Sequence, residues 1–129
     1  MKVLFIPSWL PYRDDPLAGK FFLDQALAIA DAEVAEIFLL NWGQNEFQLA
    51  VRRPLTSLKK LARLIPKRRG LSQIAPLLTE IRVPHLSWTS FVAKGNIDSL
   101  IPKIKLPEKP DLIHAQVTFP AGFVAMRLA

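Results

Sequence analysis

A glycine followed directly by a lysine, Gly19 and Lys20, opens the first stretch of this 129-residue chain that has helical spacing. Free N–H groups at a helix N-terminus suit a phosphate, and glycine permits a close approach to the backbone. The pair does not form a P-loop, because the upstream Gly and the following Ser or Thr are absent; the chain also lacks the G-x-G-x-x-G fingerprint of nicotinamide and flavin dinucleotide sites. Two interpretations of Gly19 remain open, an anion-binding glycine and an ordinary turn glycine.

His114 and Gln116 stand two residues apart in a segment with strand composition, so we expect them on the same side of that strand. Gln116 is expected at the mouth of the strand, where its amide can hydrogen-bond a sugar hydroxyl or a phosphate, and His114 deeper. The alternative for both is structural, His114 being a core histidine bonded to a backbone carbonyl.

Residues 47–79 contain eight basic side chains and no acidic one, whereas residues 1–46 carry three basic and seven acidic ones, a net charge of −4. Apolar residues repeat at helical spacing over 55–65, and a basic amphipathic helix of this kind binds anionic membrane surfaces. A solvated helix face is the alternative; a nucleic-acid site is less favoured because no aromatic side chains are interleaved. The basic block comprises Arg52, Arg53, Lys59, Lys60, Arg63, Lys67, Arg68 and Arg69.

Composition excludes several kinds of site. The chain has no cysteine and only two histidines, His85 and His114, so we expect no disulfide, no metal and no bound cofactor. The adjacent Asp14 and Asp15 indicate a solvated turn. No segment is long enough to span a bilayer, and the first apolar run is too short for a signal peptide, which predicts a cytoplasmic protein.

These residues must be positioned by alternating strands and helices. Composition predicts strands over 3–6, 33–41, 77–83 and 111–116, and helices from Gly19, over 55–65 and from Pro120. This alternation is typical of an α/β fold with an open parallel sheet, and right-handed crossovers give the strand order 3-2-1-4. The winding reverses between the first and fourth strands, where ligands of such sheets bind.

Two segments resemble one enzyme family. MKVLFIPSWLPYRDDPLAGKFFLDQALAIA resembles the opening of family 4 glycosyltransferases, where a strand ending in PSW-P leads to a P--G-FF--Q--A-A helix. PDLIHAQVTFPAGFVA is similar to the PD-IHAH---PAG--A segment of the same family. Together they cover roughly the first 30 and last 20 residues.

The resemblance implies the GT-B fold, in which two Rossmann-like domains face each other, with residues 1–129 as the N-terminal, acceptor-side domain. It implies transfer of a sugar, with retention, from a nucleotide-sugar to a sugar, polysaccharide or lipid-linked acceptor. Gly19, with Lys20 beside it, would lie near the donor diphosphate. The acceptor side would be lined by His114, Gln116, Phe119 and Gly122.

The chain departs from the family pattern in three respects. Gln116 stands where the family has the second His, so this position cannot titrate. The usual Gly-His before the second strand is missing. The sheet is expected to be truncated at its C-terminal side, without the donor-binding domain, so we expect the isolated chain to be inactive.

The sequence also leads to two expectations about binding partners. The fourth strand is expected to offer an exposed edge for self-association, and the basic block to hold the protein at the inner face of the membrane. The alternative function is a non-catalytic binding or assembly module that docks an anionic partner through residues 52–69.

Overall fold

The computed structural model describes residues 1–11, 16–42, 68–85 and 96–129. Five strands and two α-helices form its framework, joined by two short 3₁₀ turns and one irregular helical turn. In chain order these are β1 (Lys2–Pro7), α1 (Lys20–Asp31), β2 (Glu36–Asn41), β3 (Gly70–Ala75), β4 (Leu78–Arg82), the 3₁₀ turns Ile97–Ser99 and Ile101–Lys103, β5 (Leu112–Gln116), the irregular turn Thr118–Gly122 and α2 (Phe123–Leu128).

The strands form one sheet in the order β3-β4-β2-β1-β5. The three pairs β4–β2, β2–β1 and β1–β5 are parallel. This confirms the predicted α/β class and the predicted order of those four strands. The sheet as a whole is mixed, because β3 pairs antiparallel with β4 in a hairpin.

Strand β3 is absent from the sequence prediction, and its composition explains why. Its sequence, GLSQIA, has neither a continuous apolar run nor a clean alternation, and four of its six residues are exposed. An edge strand with so little buried surface carries a weak hydrophobic signal.

Both faces of the sheet are covered, which accounts for the unbroken apolar runs in β1 and β2. Alternate residues of these strands enter two separate cores. The core on the α1 side contains Val3, Phe5, Ala26, Ala30, Ala35, Ile37, Leu39 and Leu78. The opposite core contains Leu4, Ile6, Phe38, Leu40, Trp42, Ile81, Val83, Ile97, Leu100, Ala121 and Val124.

Helix α1 packs closely on the sheet because its inner face carries small side chains. Ala26 and Ala30 are buried against β1 and β2, on the face that the sequence predicts. At the other end of the chain, α2 begins at Phe123, three residues later than predicted, because Pro120 lies in the preceding irregular turn.

The predicted helix over 55–65 and the pair Asp14 and Asp15 lie outside the described residues. In the ranges that are described, no helix is long and apolar enough to cross a bilayer.

Candidate functional site

The winding of the sheet reverses between β1 and β5. These strands run parallel, and their last residues, Pro7 and Gln116, face each other in register. The segment after β1 and the segment after β5 therefore leave the sheet from the same edge and side by side, in the position where open α/β sheets bind ligands.

Gln116 joins this edge to helix α1. Its side chain is buried, with 6% exposed. Its Nε2 donates a hydrogen bond of 2.7 Å to Oε1 of Gln25, and Ser8 Oγ lies 3.5 Å from its main-chain oxygen. Its Oε1 is buried and accepts no hydrogen bond from any described residue. A buried acceptor without a donor costs about 1–3 kcal/mol, so this oxygen suits a hydroxyl or N–H donor from a ligand.

His114 lies on the same side of β5 as Gln116. Its ring stacks on Phe5, a member of the core beside α1, with centroids 4.6 Å apart and an interplanar angle of 10°. Although His114 is farther from the strand end, it is only half-buried, so Gln116 is the more enclosed of the two. Because β5 is the last strand of the described sheet, one side of His114 stays open.

Gly19 is held in a conformation that other residues rarely adopt. It is the N-cap of α1 with φ 65° and ψ 12°. A Cβ at this position would lie 2.5 Å from the main-chain oxygen of Trp9 and 2.6 Å from its Cδ1. The glycine is therefore required by the packing of Trp9 on the helix start, whether or not a ligand binds there.

The N-terminus of α1 has few free donors. The main-chain N–H of Lys20 donates to Leu17, and those of Phe22 and Leu23 donate to Gly19. The Lys20 ammonium pairs with Asp24, one turn along the helix, at 2.5 Å. A diphosphate at this helix start would have to displace some of these contacts.

An aromatic side chain that sequence analysis does not single out connects the two halves of the site. Trp9 touches Gly19 and packs edge-to-face on Phe22, with centroids 5.2 Å apart, while 44% of its surface stays exposed. Trp9 follows Ser8, which contacts Gln116, so the contacts run from the helix start to the end of β5. Gln25 is missed as well, although it occupies the Q position of the P--G-FF--Q--A-A pattern.

The segment after β5 turns sharply. Val117 has φ 121°, a strained conformation for a β-branched residue. The Gly122 N–H closes the turn by donating to the Val117 oxygen at 3.1 Å. Phe119 stays 40% exposed and packs on Phe123 with centroids 6.3 Å apart. Phe119 and Gly122 therefore follow Gln116 in one turn.

Only Arg68 and Arg69 of the basic block lie among the described residues, and both are exposed. Arg69 Nη2 donates a 2.6 Å hydrogen bond to the main-chain oxygen of Lys103. The remaining six basic residues, Arg52, Arg53, Lys59, Lys60, Arg63 and Lys67, lie outside the described ranges.

The buried His85 pairs with the exposed Ser99 away from this edge. His85 Nε2 lies 2.8 Å from Ser99 Oγ, and that hydroxyl donates to the Asn96 oxygen at 2.7 Å. With the hydroxyl donating to Asn96, the pair fits the histidine tautomer that carries its proton on Nε2. Burial, together with the charge of Lys103, lowers the pKa of His85.

No group of three or more His, Asp or Glu side chains able to hold a metal is found within the described ranges. Comparisons with known proteins give no match: neither a family model, nor a curated protein, nor a solved structure is similar to this chain.

Proposed function

We propose that this chain is the N-terminal, acceptor-side part of a retaining glycosyltransferase that transfers a sugar from a nucleotide-sugar to a sugar, polysaccharide or lipid-linked acceptor. The observation that carries the proposal is the position of Gln116: it lies where β1 and β5 end together, bonded to helix α1, with a buried oxygen that accepts no hydrogen bond from the described part of the chain. An unpaired acceptor at such an edge suits a sugar hydroxyl.

In this proposal each residue has a separate task. Gln116 accepts a hydrogen bond from the acceptor sugar, and His114, Phe119 and Gly122 line the same side. Gly19 permits the close contact between Trp9 and the helix start, and Lys20 supplies a positive charge for the donor diphosphate once Asp24 releases it. Because a leaving diphosphate is stabilised by preorganised donors in a water-excluded site, the edge of a single sheet does not suffice for turnover.

Ligand binding tests the proposal. Calorimetric titration of the chain with simple sugars should give binding that Gln116→Leu abolishes, whereas the binding of nucleoside diphosphates at the helix start should persist in this variant. Gln73→Leu is the matched control, since Gln73 is an exposed glutamine whose amide bonds Pro76 on the hairpin. Equal sugar binding by the two variants, or no binding by the wild type, would contradict the proposal.

The membrane-facing location is a further part of the proposal, supported by the basic block of residues 52–69. Charge reversal at Lys59, Lys60 and Arg63 to Glu should abolish co-sedimentation with anionic vesicles at low salt, because several phosphate contacts are lost together. Retained co-sedimentation would exclude the block as a membrane surface and favour a solvated face. If the variant loses vesicle binding while sugar binding also fails in the wild type, the non-catalytic docking module becomes the better account.

A further inference from the structure

A cavity lies on the sheet face opposite helix α1. It opens between the β3–β4 hairpin and the segment that follows the second 3₁₀ turn, and its volume is about 320 Å³. Its walls are mostly aliphatic, formed by Leu71, Ile81, Val83, Leu106 and Pro107. Ile81 and Val83 are fully buried, whereas Leu71 at the mouth is 55% exposed.

Four cationic residues line this apolar cavity. Arg82 pairs with Glu80; the other three are Arg69, Lys103 and Lys105, and no described residue that lines the cavity is acidic. The bond from Arg69 to the Lys103 oxygen ties the hairpin to the 3₁₀ segment and holds the guanidinium at the mouth. None of the three forms an ion pair with a described carboxylate.

The carboxylates nearest in sequence are occupied elsewhere. Glu108, just beyond the cavity wall, pairs with Lys2 at the start of β1. Glu80 pairs with Arg82 at 3.3 Å and accepts a hydrogen bond from Asn41, on the α1 side of the sheet. No described carboxylate therefore neutralises the positive charge of Arg69, Lys103 and Lys105.

We propose that this cavity binds one single-chain anionic amphiphile, whose alkyl chain packs on Ile81, Val83 and Leu106 while its phosphate or carboxylate is held by Arg69, Lys103 and Lys105. The aliphatic walls form no hydrogen bonds with a bare anion or a sugar. The cationic rim favours an amphiphile with an anionic head group over a neutral hydrocarbon. A volume near the lower end of the range for ligand sites accommodates one chain. The proposal does not depend on the glycosyltransferase assignment.

Alkyl phosphates, kept below the concentration at which they form micelles, test this directly. The probe is decyl phosphate, and the readout is the methyl NMR signals of Ile81 and Val83 together with calorimetry. Affinity should rise about fourfold per methylene from hexyl to decyl phosphate, and the gain should stop once the chain fills the cavity. Inorganic phosphate should leave these methyl signals unmoved.

Paired variants identify the residues responsible. The double change Lys103→Glu and Lys105→Glu should weaken decyl phosphate binding about tenfold or more, because attraction becomes repulsion at the mouth. Lys109→Glu alters an exposed lysine just outside the cavity and should leave affinity within about twofold. Leu71→Gln should weaken binding about tenfold, whereas Ile74→Gln, on the same strand but outside the cavity, should not.

Three results would overturn the proposal. Inorganic phosphate binding as tightly as decyl phosphate would indicate a surface anion site without an apolar component. Equal losses for Lys109→Glu and the double variant would indicate general attraction to a basic protein. Binding to anionic vesicles but not to monomeric decyl phosphate would indicate a bilayer surface instead of a cavity. Urea unfolding of each variant establishes that the fold is retained.

Discussion

The side-chain amide of Gln116, the last residue of β5, donates a 2.7 Å hydrogen bond to the side-chain oxygen of Gln25 on helix α1. The two residues lie 91 positions apart in the sequence, yet this single bond joins the last strand of the sheet to its first helix. It also fixes the orientation of the Gln116 amide, so that the Oε1 atom, which has no donor among the described residues, is held in one place.

Replacing Gln116 by leucine separates a structural role from a binding role. The change removes one hydrogen bond, with a net value of about 1 kcal/mol, but also removes a buried acceptor that lacks a donor. We therefore expect the free energy of unfolding to stay within about 1 kcal/mol of the wild type. Urea denaturation measures this, with Gln73→Leu as control; a loss of several kcal/mol would assign Gln116 to the stability of the fold.

Gly19→Ala should destabilise the protein by about 2 kcal/mol or more. The positive φ disfavours alanine, and its Cβ would overlap the Trp9 backbone. Gly122→Ala is the matched control, because Gly122 has φ −63° and a Cβ there would meet its nearest atom at 3.5 Å. This control should be neutral or stabilising by about 0.5 kcal/mol. Similar losses for both variants in urea unfolding would contradict the close contact at Gly19.

Val117→Gly should stabilise the protein by about 1 kcal/mol, because glycine adopts φ 121° without strain. The valine is 42% exposed, so little buried surface is lost. Val34→Gly, at an exposed valine without a positive φ, should instead lower stability by about 0.5–1 kcal/mol. If the two variants lose stability equally in thermal unfolding, Val117 is not strained.

Stability should fall as the pH drops below about 6.5, the ordinary pKa of histidine. Burial, and the charge of Lys103 with it, lowers the pKa of His85 in the folded protein. The unfolded chain therefore takes up a proton at a pH where the folded protein does not, which favours unfolding by up to about 1.4 kcal/mol per pH unit. More than about one pH unit above 6.5 this residue contributes almost no pH dependence, because it is then neutral in both states.

Urea unfolding at several pH values measures the effect, and two variants assign it. His85→Gln should remove this component of the slope. Lys103→Gln should make the dependence of the unfolding free energy on pH shallower, because the folded-state pKa of His85 moves back toward its ordinary value. An unchanged slope in His85→Gln would assign the pH dependence to other groups.

The framework of the sheet was predictable, because buried parallel strands are continuous apolar runs and chirality limits their order. Ile37–Leu40 and the segment before Gln116 are clear examples. The hairpin strand Gly70–Ala75 was not predictable, since an exposed edge strand owes its pairing to its neighbour and not to its own composition. Membrane binding by the basic block and the glycosyltransferase activity implied by the family resemblance stay predictions.

The site was predictable in outline only. Gln116 and Gly19 could be placed near one edge of the sheet from topology, since parallel strands end together. Their partners could not: Gln25 and Trp9 are brought to them by the way α1 docks on the sheet, which depends on the small side chains of Ala26 and Ala30. The cavity beside the β3–β4 hairpin could not be predicted either, because it depends on β3.

The central claim is that the segments after β1 and β5 form one ligand site. The test is an NMR titration of the ¹⁵N-labelled chain with pyrophosphate and with a simple sugar. The signals to follow are the backbone amides of residues 19–22 and the side-chain amides of Gln25 and Gln116. We predict that sugar shifts the Gln116 and Gln25 amides, that pyrophosphate shifts the amides of 19–22, and that each ligand changes the affinity for the other. Signals that respond to neither ligand, or two sites that bind with no mutual influence, would contradict it.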